Sequence, residues 1–376
     1  MQEMRLERIE FASVAVSDRT EWTFAEVSDT GGTTAVTEIT CGNETPAVIA
    51  AMVEFLEVLK GREISEESRL SEVLGLTVDR IRADRPLAVA ISALRTAIVD
   101  IQSQHGNMSI TEALGGASQE SVELYANINR SLGPSRRSPA DFAEAAERAV
   151  ADGFATVKCA PFDDVIPPVT ADEVHRLARP GLERVAAARA AIGPDVRLLV
   201  DCHSRFDALS APWVAEELTK SDIGWFEEPV QPTRDADALS EIAEQVSMPV
   251  AGGETGYGAD FFGELVKRNA VEVIMPDIKY CGGVAEALSA GRAAQAAGGR
   301  TSLHSPSGPI SQLASAHVTA AMPGAMALEH AVGEAPWRAE LIVPPERIEN
   351  GLLWFPGGPG LGATLNAEMV TRRSPN

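Results

Sequence analysis

Three acidic residues are spaced along the chain at nearly equal intervals. Asp201, Glu227 and Glu254 each follow a short apolar run, and they lie 26 and then 27 residues apart. A strand, a helix and two short connections together take roughly 25 residues, so this interval is the repeat of a β/α barrel. Because carboxylate oxygens at one edge of a barrel suit a hard divalent cation, the spacing predicts a Mg²⁺ site.

The same interval continues to three more ionisable residues, Asp277, His304 and Glu329. Each lies where an apolar run stops and a Gly, Pro or Ser cluster begins, which is where a barrel carries its chemistry. Acidic residues are common here, with 54 Asp and Glu among 376 residues, and some follow apolar runs by accident. Six consecutive positions with an ionisable residue favour a functional arrangement over that explanation.

The composition limits the class of protein. A formal charge of −22 argues against nucleic-acid binding, and it opposes an acidic substrate unless a local cation compensates. The four cysteines lack CxxC spacing, so neither structural zinc nor a disulfide framework is expected. With no signal peptide and no apolar run of membrane-spanning length, we expect a cytoplasmic protein.

The elements that must position these residues fall into an α/β fold with three parts. Residues 1–120 predict an α+β capping domain, with strands at 9–16, 21–27 and 33–39 and helices at 46–60 and 92–101. Residues 121–335 predict a modified TIM (β/α)8-type barrel. The C-terminal segment 336–376 is expected to return to the cap, with its Gly-Pro-rich residues 344–361 as an extended tail. The structural alternative is a doubly wound sheet, but no Gly-x-Gly-x-x-Gly follows an early strand in this sequence. The predicted barrel strands are 122–127, 155–159, 197–201, 224–227, 249–253, 273–277, 301–304 and 326–329.

The motifs at the strand ends carry a family resemblance. In chain order they are VKCA (157–160), VDCHSRF (200–206), WFEEP (225–229), GGET (252–255), MPDIKYCGG (275–283), HSPSGPI (304–310) and ALEH (327–330). This order resembles the enolase superfamily and, within it, the mandelate racemase subgroup. The resemblance implies that Asp201, Glu227 and Glu254 hold Mg²⁺, which stabilises the charge that develops when a proton is removed next to a substrate carboxylate.

A histidine and an aspartate are expected to meet at adjacent strands. Asp277 and His304 end the sixth and seventh strands, and the resemblance implies a dyad in which Asp277 orients His304 as the general base. A loop histidine with a satisfied hydrogen bond is the alternative, and it suits the other candidates better: His105, His175, His317 and His330. The resemblance also implies that Glu329 hydrogen-bonds the enediolate that develops when the proton is removed.

The third-strand motif is the most discriminating one. His203 lies two residues beyond Asp201 and is expected to point to the same side of the strand. With Arg205 it forms a DxHxR pattern that resembles galactonate and mannonate dehydratases, in which this histidine protonates the departing hydroxyl. Because strands three and seven lie on opposite walls of a barrel, acid and base are predicted to act from opposite faces of the substrate, which gives an anti elimination.

The second strand separates dehydration from racemization. Racemases of the subgroup carry Lys-x-Lys, but here Lys158 is followed by Ala160, which has no acid or base group. Lys158 is expected to contact the substrate carboxylate or to offset the ligand carboxylates, with a purely structural role as the alternative. Glu228 is expected to contact the substrate or to hold these groups in place. Arg205 and Lys279 are the remaining predicted substrate-binding residues.

Together these patterns predict a Mg²⁺-dependent aldonate dehydratase that forms a 2-keto-3-deoxy acid. A racemase, an epimerase or another enzyme that abstracts the same proton is the first alternative, and a catalytically silent acid-sugar-binding paralogue is the second. The expected partner is a small acid sugar, with neither nucleic acid nor membrane, and the protein is expected to be a homo-oligomer. Residues 17–20 form too short a loop for a long lid, so the site stays open or is completed by Arg19, Trp22 or a neighbouring subunit.

Overall fold

The structure is a computed structural model that describes residues 4–18, 20–168 and 171–373. Arg19, considered above as part of a lid, lies outside this range. The chain begins with an antiparallel sheet whose strands follow the predicted order, and a strand from the C-terminus joins its edge. The strands are Thr371–Arg373, Leu6–Ala15, Glu21–Asp29 and Thr34–Glu38, in spatial order.

The cap sheet has one face on the cap core and the other on the barrel. Trp22, Phe24 and Val36 pack into the core that the cap shares with the barrel, whereas their neighbours Ala25 and Ala35 pack into the core of the cap itself. This alternation follows from the two-residue period of a strand. The barrel-facing side of the sheet therefore forms a wall above the strand ends.

The longest cap helix, Arg85–His105, joins the cap to the barrel. Its first turn is capped by Asp84, whose side chain accepts the Leu87 N–H at 3.2 Å. On the barrel side, Gly282 N donates to Ser92 Oγ at 2.9 Å. A Cβ on the next residue, Gly283, would lie 2.8 Å from the Ser92 carbonyl oxygen, so only glycine allows this approach. The other cap helices are Thr45–Leu59, Leu70–Val73, Val78–Arg82 and Ile110–Ala113.

The predicted barrel is confirmed. Within the described residues, eight parallel strands follow one another around it, and a hydrogen bond of 2.8 Å from Met326 N to Thr301 O joins the seventh strand to the eighth. These strands read as near-continuous apolar runs because both of their faces are buried. In order they are Ser121–Asn127, Thr156–Cys159, Arg197–Asp201, Ile223–Glu227, Val250–Gly252, Val273–Ile274, Arg300–Thr301 and Leu328–Ala331.

Helices connect the strands but do not complete the eighth unit. In the part of the chain that is described, the eighth strand is followed by a 3-10 turn, Arg338–Leu341, so seven β/α units and a final strand make up the barrel. None of the described helices is both long enough and apolar enough to span a membrane. The barrel helices are Asn129–Leu132, Pro139–Ala151, Ala171–Ile192, Ala211–Leu218, Ala236–Ala243, Ala259–Lys267, Val284–Ala296 and Pro309–Ala321.

The C-terminal segment contacts both domains. After the short strand Ile342–Val343, the chain forms the hairpin Arg347–Glu349 and Leu352–Trp354. The hairpin pairs antiparallel with the start of the first barrel strand, whereas an extended tail was expected for residues 344–361. The return comes later. Leu361 N donates to Asp100 Oδ1 of the long cap helix at 3.0 Å, and Thr371–Arg373 then pairs with the first cap strand.

Several predicted site residues lie just beyond the strands that precede them. Glu254, Asp277 and His304 follow strands that end at residues 252, 274 and 301, each shorter than predicted. Pro276 has no N–H to donate, which interrupts the ladder between neighbouring strands. The backbone is still fixed there, because His304 N donates to the Pro276 carbonyl oxygen at 3.2 Å.

Candidate active site

A cavity of about 360 Å³ lies between the cap sheet and the carboxyl ends of the barrel strands. Predicted site residues from four barrel loops line it, and so do residues of the cap. The barrel contributes His203, Glu254, Lys279 and His304, and the cap contributes Trp22 and Glu38. Thr20, whose carbonyl oxygen accepts the Val16 N–H at 2.9 Å, also lines the cavity.

His304 lies between two carboxylates. Its Nδ1 is 2.9 Å from Asp277 Oδ2, as the predicted dyad requires, and its Nε2 is 2.9 Å from Glu254 Oε2. Burial lowers the pKa of His304, but the charges of Glu254 and Glu329 outweigh it and raise that pKa well above its usual value. Asp277 is fixed in turn by the Lys279 N–H, which donates to its Oδ1 at 2.8 Å. The structure thus orients His304 Nε2 toward the carboxylates at the base of the cavity.

His203 reaches the cavity through a turn. His203 and Ser204 both have positive φ, at 48° and 56°, so the strand rule used above to orient His203 does not apply. Such backbone costs roughly 1 to 3 kcal/mol per residue. The turn brings His203 Nε2 to 2.9 Å from Asp201 Oδ2 and leaves 47% of the side chain exposed. The charge of Asp201 raises the pKa of His203 to about 9 against the effect of burial, so the imidazolium is the favoured form.

Lys158 lies below the cavity in a closed network of charges. Its Nζ is 2.7 Å from Glu227 Oε1 and 2.7 Å from Glu329 Oε1, and all three side chains are essentially inaccessible to solvent. Burial lowers the pKa of Lys158, but the two carboxylates outweigh it and raise that pKa well above its usual value. The Asn127 amide also donates to Glu329 Oε1, at 2.7 Å. Lys158 therefore neutralises carboxylates and is absent from the cavity wall.

The three predicted metal ligands end neighbouring strands. Asp201 and Glu227 are in register on adjacent strands, and Glu254 follows the next strand. Burial, together with repulsion from Asp201 and Glu329, raises the pKa of Glu227 well above its usual value despite the contact with Lys158. The contact with Lys158 therefore does not fully offset burial and the neighbouring carboxylates at Glu227. Three carboxylates in such a place match the oxygen donors that Mg²⁺ prefers.

These carboxylates are bound to cations of the protein rather than grouped around one point. Among residues 4–18, 20–168 and 171–373, no cluster of three or more His, Cys, Asp or Glu side chains has a geometry ready for a metal ion. Asp201 binds His203, Glu227 binds Lys158 and Glu254 binds His304. The donor chemistry fits Mg²⁺, and binding it requires the two imidazoles to release their carboxylates.

The remaining predicted substrate residues have different surroundings. Lys279 lines the cavity, with Nζ 3.8 Å from Asp277 Oδ2. Glu228 instead accepts the Gly253 and Glu254 N–H groups at 2.8 and 3.2 Å, and burial with the charge of Glu254 raises its pKa to about 8. Its position corresponds to the second expectation, a group that holds a predicted ligand in place.

Arg205 is directed away from the cavity. Its Nη1 donates to the Val165 carbonyl oxygen at 2.6 Å, and its Nη2 lies 3.7 Å from Asp163 Oδ1. Both partners belong to the loop after the second strand, and Arg205 is absent from the residues that line the cavity. The DxHxR spacing alone cannot give this direction, because it depends on the turn at residues 203–204 and on a loop 40 residues earlier.

The sequence patterns missed several residues at the site. Asn127 is a polar strand end that the spacing argument could have included. Trp225 donates from Nε1 to Glu227 Oε2 at 2.9 Å, although within the strand it reads only as an apolar residue. Arg130 of the first barrel loop and the cap residues Glu38 and Thr40 line the cavity. The cap residues carry no barrel periodicity, so only the docking of the two domains reveals them.

A family comparison agrees with this geometry. Residues 141–369 match the model of a family described as enolase C-terminal domain-like. The chain belongs to this family. A crystal structure of a member of the enolase superfamily from Salmonella Typhimurium superimposes with a TM-score of 0.87 at 22% identity, covering 99% of this chain and 100% of the other. At that identity the likeness concerns the fold alone.

Curated relatives of this enolase C-terminal domain-like protein carry enzyme names. D-xylonate dehydratase of Haloferax volcanii is 29% identical over 93% of this chain and 84% of its own length. D-galactonate dehydratase of Ralstonia pickettii is 25% identical over 94% of this chain and 91% of its own length. D-galactarolactone cycloisomerase of Agrobacterium fabrum is 30% identical over 75% of this chain and 73% of its own length. The chain is thus similar to enzymes of more than one reaction type.

Proposed function

We propose that this protein is a Mg²⁺-dependent acid-sugar dehydratase that acts on an aldonate and forms a 2-keto-3-deoxy acid. The observation that carries the proposal is the pair of histidines that line one cavity from the third and seventh barrel strands, each hydrogen-bonded to a carboxylate. Relatives named as dehydratases of xylonate and galactonate support the substrate class.

His304 is the proposed general base. Asp277 holds its Nδ1. When Glu254 turns away, the negative charge that favours the imidazolium is withdrawn, so Nε2 loses its proton to solvent and can accept the proton from C2. Bound Mg²⁺, held by Asp201, Glu227 and Glu254, would supply positive charge against the substrate carboxylate as negative charge develops on it. Lys158 and the Asn127 amide keep Glu329 ionised and fixed beside His304, at 3.9 Å from its Nε2.

His203 is the proposed general acid. The electron pair left at C2 is first delocalised onto the substrate carboxylate. It then forms the C2=C3 double bond while the C3–O bond breaks, and His203 gives a proton to the departing hydroxyl, which leaves as water. The enol product then becomes the 2-keto acid. Since the two histidines extend from opposite walls of the barrel, we propose an anti elimination, and syn loss from a stereospecifically labelled substrate would refute it.

The proposal is tested with a panel of aldonic and aldaric acids in the presence of Mg²⁺. The 2-keto products are detected with semicarbazide, and His304→Asn protein is the matched control. We expect product from at least one aldonate, loss of product with EDTA and its return with added Mg²⁺. A product that persists in the His304→Asn protein would contradict the assignment of the base.

A second candidate is cycloisomerization, because one relative at 30% identity is named D-galactarolactone cycloisomerase. Racemization has less support, since the buried Ala160 offers no second base on the strand after Lys158. Galactarolactone is therefore included in the panel, and an isomeric product without keto acid would favour cycloisomerization. If no product forms, uptake of deuterium from D₂O into recovered substrate would indicate a racemase or epimerase, and its absence would indicate a silent acid-sugar-binding paralogue.

A further inference from the structure

Arg130 is a charged residue of the first barrel loop that lines the cavity. It belongs to the short helix Asn129–Leu132, which follows the first strand. Strand one lies four places from strand five in an eight-stranded barrel, so Arg130 lines the wall opposite Glu254, which follows strand five. A substrate that places one carboxylate at the proposed metal ligands and extends across the cavity therefore reaches Arg130 with its other end.

The turn that carries Arg130 is fixed on both sides. Toward the second strand, Asn129 Oδ1 accepts the Ala160 N–H at 2.6 Å. Toward the eighth strand, Gly333 approaches Ser131 so closely that a Cβ on this glycine would lie 2.9 Å from the Ser131 Cβ. Arg130 therefore extends from a backbone that is already held in place, which lowers the entropic cost of binding a ligand through its side chain.

The guanidinium of Arg130 has unused hydrogen-bond donors. Its ion-pair partner is Glu334 of the loop after strand eight, but the 3.6 Å from Nη1 to Glu334 Oε1 is too long for a hydrogen bond, and 45% of the Arg130 side chain is exposed. A guanidinium has five N–H donors, and none of them is accepted by a residue that the structure describes. Glu334 thus attracts the guanidinium without occupying its donors, which leaves them to an anion in the cavity.

The other Lys and Arg side chains near this site are bound to the protein. Lys279 is only 9% exposed, with Nζ 3.8 Å from Asp277 Oδ2. Arg85 Nη2 donates to the Tyr280 hydroxyl at 2.9 Å, and its guanidinium carbon lies 4.9 Å from the centre of the Tyr280 ring. Arg205, as described above, is directed away from the cavity. Arg130 is therefore the arginine of the described cavity wall whose donors a substrate can use.

We infer that Arg130 binds the second carboxylate of a diacid, so that the enzyme dehydrates six-carbon aldarates in addition to aldonates. The inference rests on the proposed function and deepens it, because it extends the substrate class of the same site. A guanidinium can donate two parallel N–H groups to a carboxylate, whereas a terminal hydroxyl offers it one neutral oxygen. The reaction at C2 and C3 is the one proposed above, so the products are water and a 2-keto-3-deoxy diacid.

The test uses two pairs of acids, D-gluconate with D-glucarate and D-galactonate with galactarate, whose members differ only at C6. Calorimetry in the presence of Mg²⁺ measures their binding to His304→Asn protein, which lacks the proposed base, with and without Arg130→Gln. We expect Arg130→Gln to raise the dissociation constant of the aldarate at least about tenfold more than that of the aldonate, because only the aldarate loses a charged partner. Arg148→Gln is the matched control. Since Arg148 pairs with Glu144 on an exposed helix face, it should leave the ratio of the two constants within about twofold.

Turnover of each acid by the wild-type protein, measured with semicarbazide, separates this inference from the proposed function. A wild-type protein that dehydrates an aldonate but not the matching aldarate would overturn the inference alone. Equal losses of affinity for both acids in Arg130→Gln would also overturn it, because they would place Arg130 at the shared carboxylate or in a structural role. Selective loss of aldarate binding in a protein that turns over neither acid would support the inference and overturn the proposed function.

Binding of neither acid to the His304→Asn protein would overturn both. If Arg130→Gln fails to fold, Arg130→Lys replaces it, since lysine keeps the charge but cannot donate two parallel N–H groups. Arg130→Lys should weaken aldarate binding several-fold relative to aldonate binding, and an unchanged ratio would overturn the inference.

Discussion

The barrel and the cap hold buried charges in different ways. At the barrel strand ends most buried charged groups of the described residues have a partner of opposite charge, as in the contacts of Lys158 with Glu227 and Glu329. Glu228 is an exception, because it accepts backbone N–H groups.

Two buried carboxyls of the cap instead accept backbone N–H groups: Glu38 accepts one from the barrel loop and Asp100 one from the C-terminal segment. Asp100 also accepts the Gln104 side-chain amide. Burial raises the pKa of both.

This difference indicates a division of roles. The paired charges of the barrel sit where protons and negative charge must move, and their mutual contacts fix geometry for chemistry. The cap carboxyls form contacts between domains, and Glu38 in addition faces the cavity. We therefore expect substitutions at the paired charges of the barrel to affect turnover or to destabilise strongly, and substitutions at the cap carboxyls to affect the pH response.

The largest effect is expected from loss of the base. His304→Asn should lower kcat by about 10³-fold or more, because general base catalysis typically contributes 10²- to 10⁴-fold and the alternative base positions are empty or bound. Steady-state assays of 2-keto acid formation measure it. Asp277→Asn, which leaves the imidazole in place but poorly oriented, should show a smaller loss. If kcat of the His304→Asn protein were within tenfold of the wild-type value, His304 would have only a structural role.

Removal of the buried ammonium should strongly destabilise the protein. Lys158→Met leaves Glu227 and Glu329 buried without their cation, which typically costs about 3 to 5 kcal/mol. Urea denaturation measures the change in the free energy of unfolding. Lys220→Met is the control, since Lys220 pairs with Glu217 on the surface and such a pair is worth less than about 1 kcal/mol. Equal effects of the two substitutions would remove the distinction between the barrel network and surface pairs.

The cap should show a pH response that the substitution Asp100→Asn abolishes. The pKa of Asp100 is raised from 3.8 to about 6, so its protonated form is favoured on folding. Its contribution to stability is therefore fully present below pH 3.8 and is lost as pH rises through about 6. Between pH 4 and pH 7, the free energy of unfolding of the Asp100→Asn protein should rise by up to about 3 kcal/mol relative to that of the wild type. Parallel stability curves for the two proteins over this range would contradict the account of the cap.

The smallest effect is expected at Arg205. Since its guanidinium is bound to Val165 and Asp163, Arg205→Ala should change KM for an aldonate by less than about threefold while lowering stability by about 1 kcal/mol through the lost loop contacts. Kinetics and thermal denaturation on the same preparation measure both. A rise in KM of thirtyfold or more would instead support the substrate-binding role that the DxHxR pattern predicts.

The sequence predicts the barrel well because the spacing of strand ends is a local property that repeats. It places Asp277 beside His304 and sets Asp201, Glu227 and Glu254 at or just beyond the ends of successive strands, where the structure also has them. It does not predict the direction of Arg205 or the contacts of Glu38. Those depend on a turn with positive φ at His203 and on the docking of the cap, which join residues far apart in the chain.

Deuterium exchange at C2 of an aldonate in D₂O with Mg²⁺, measured on the His203→Asn and His304→Asn proteins, tests the roles of the two histidines most directly. If His304 is the base and His203 the acid, His203→Asn should incorporate deuterium into recovered substrate while forming almost no 2-keto acid, and His304→Asn should do neither. Exchange in His304→Asn with none in His203→Asn would contradict the assignment of roles at the centre of this proposal.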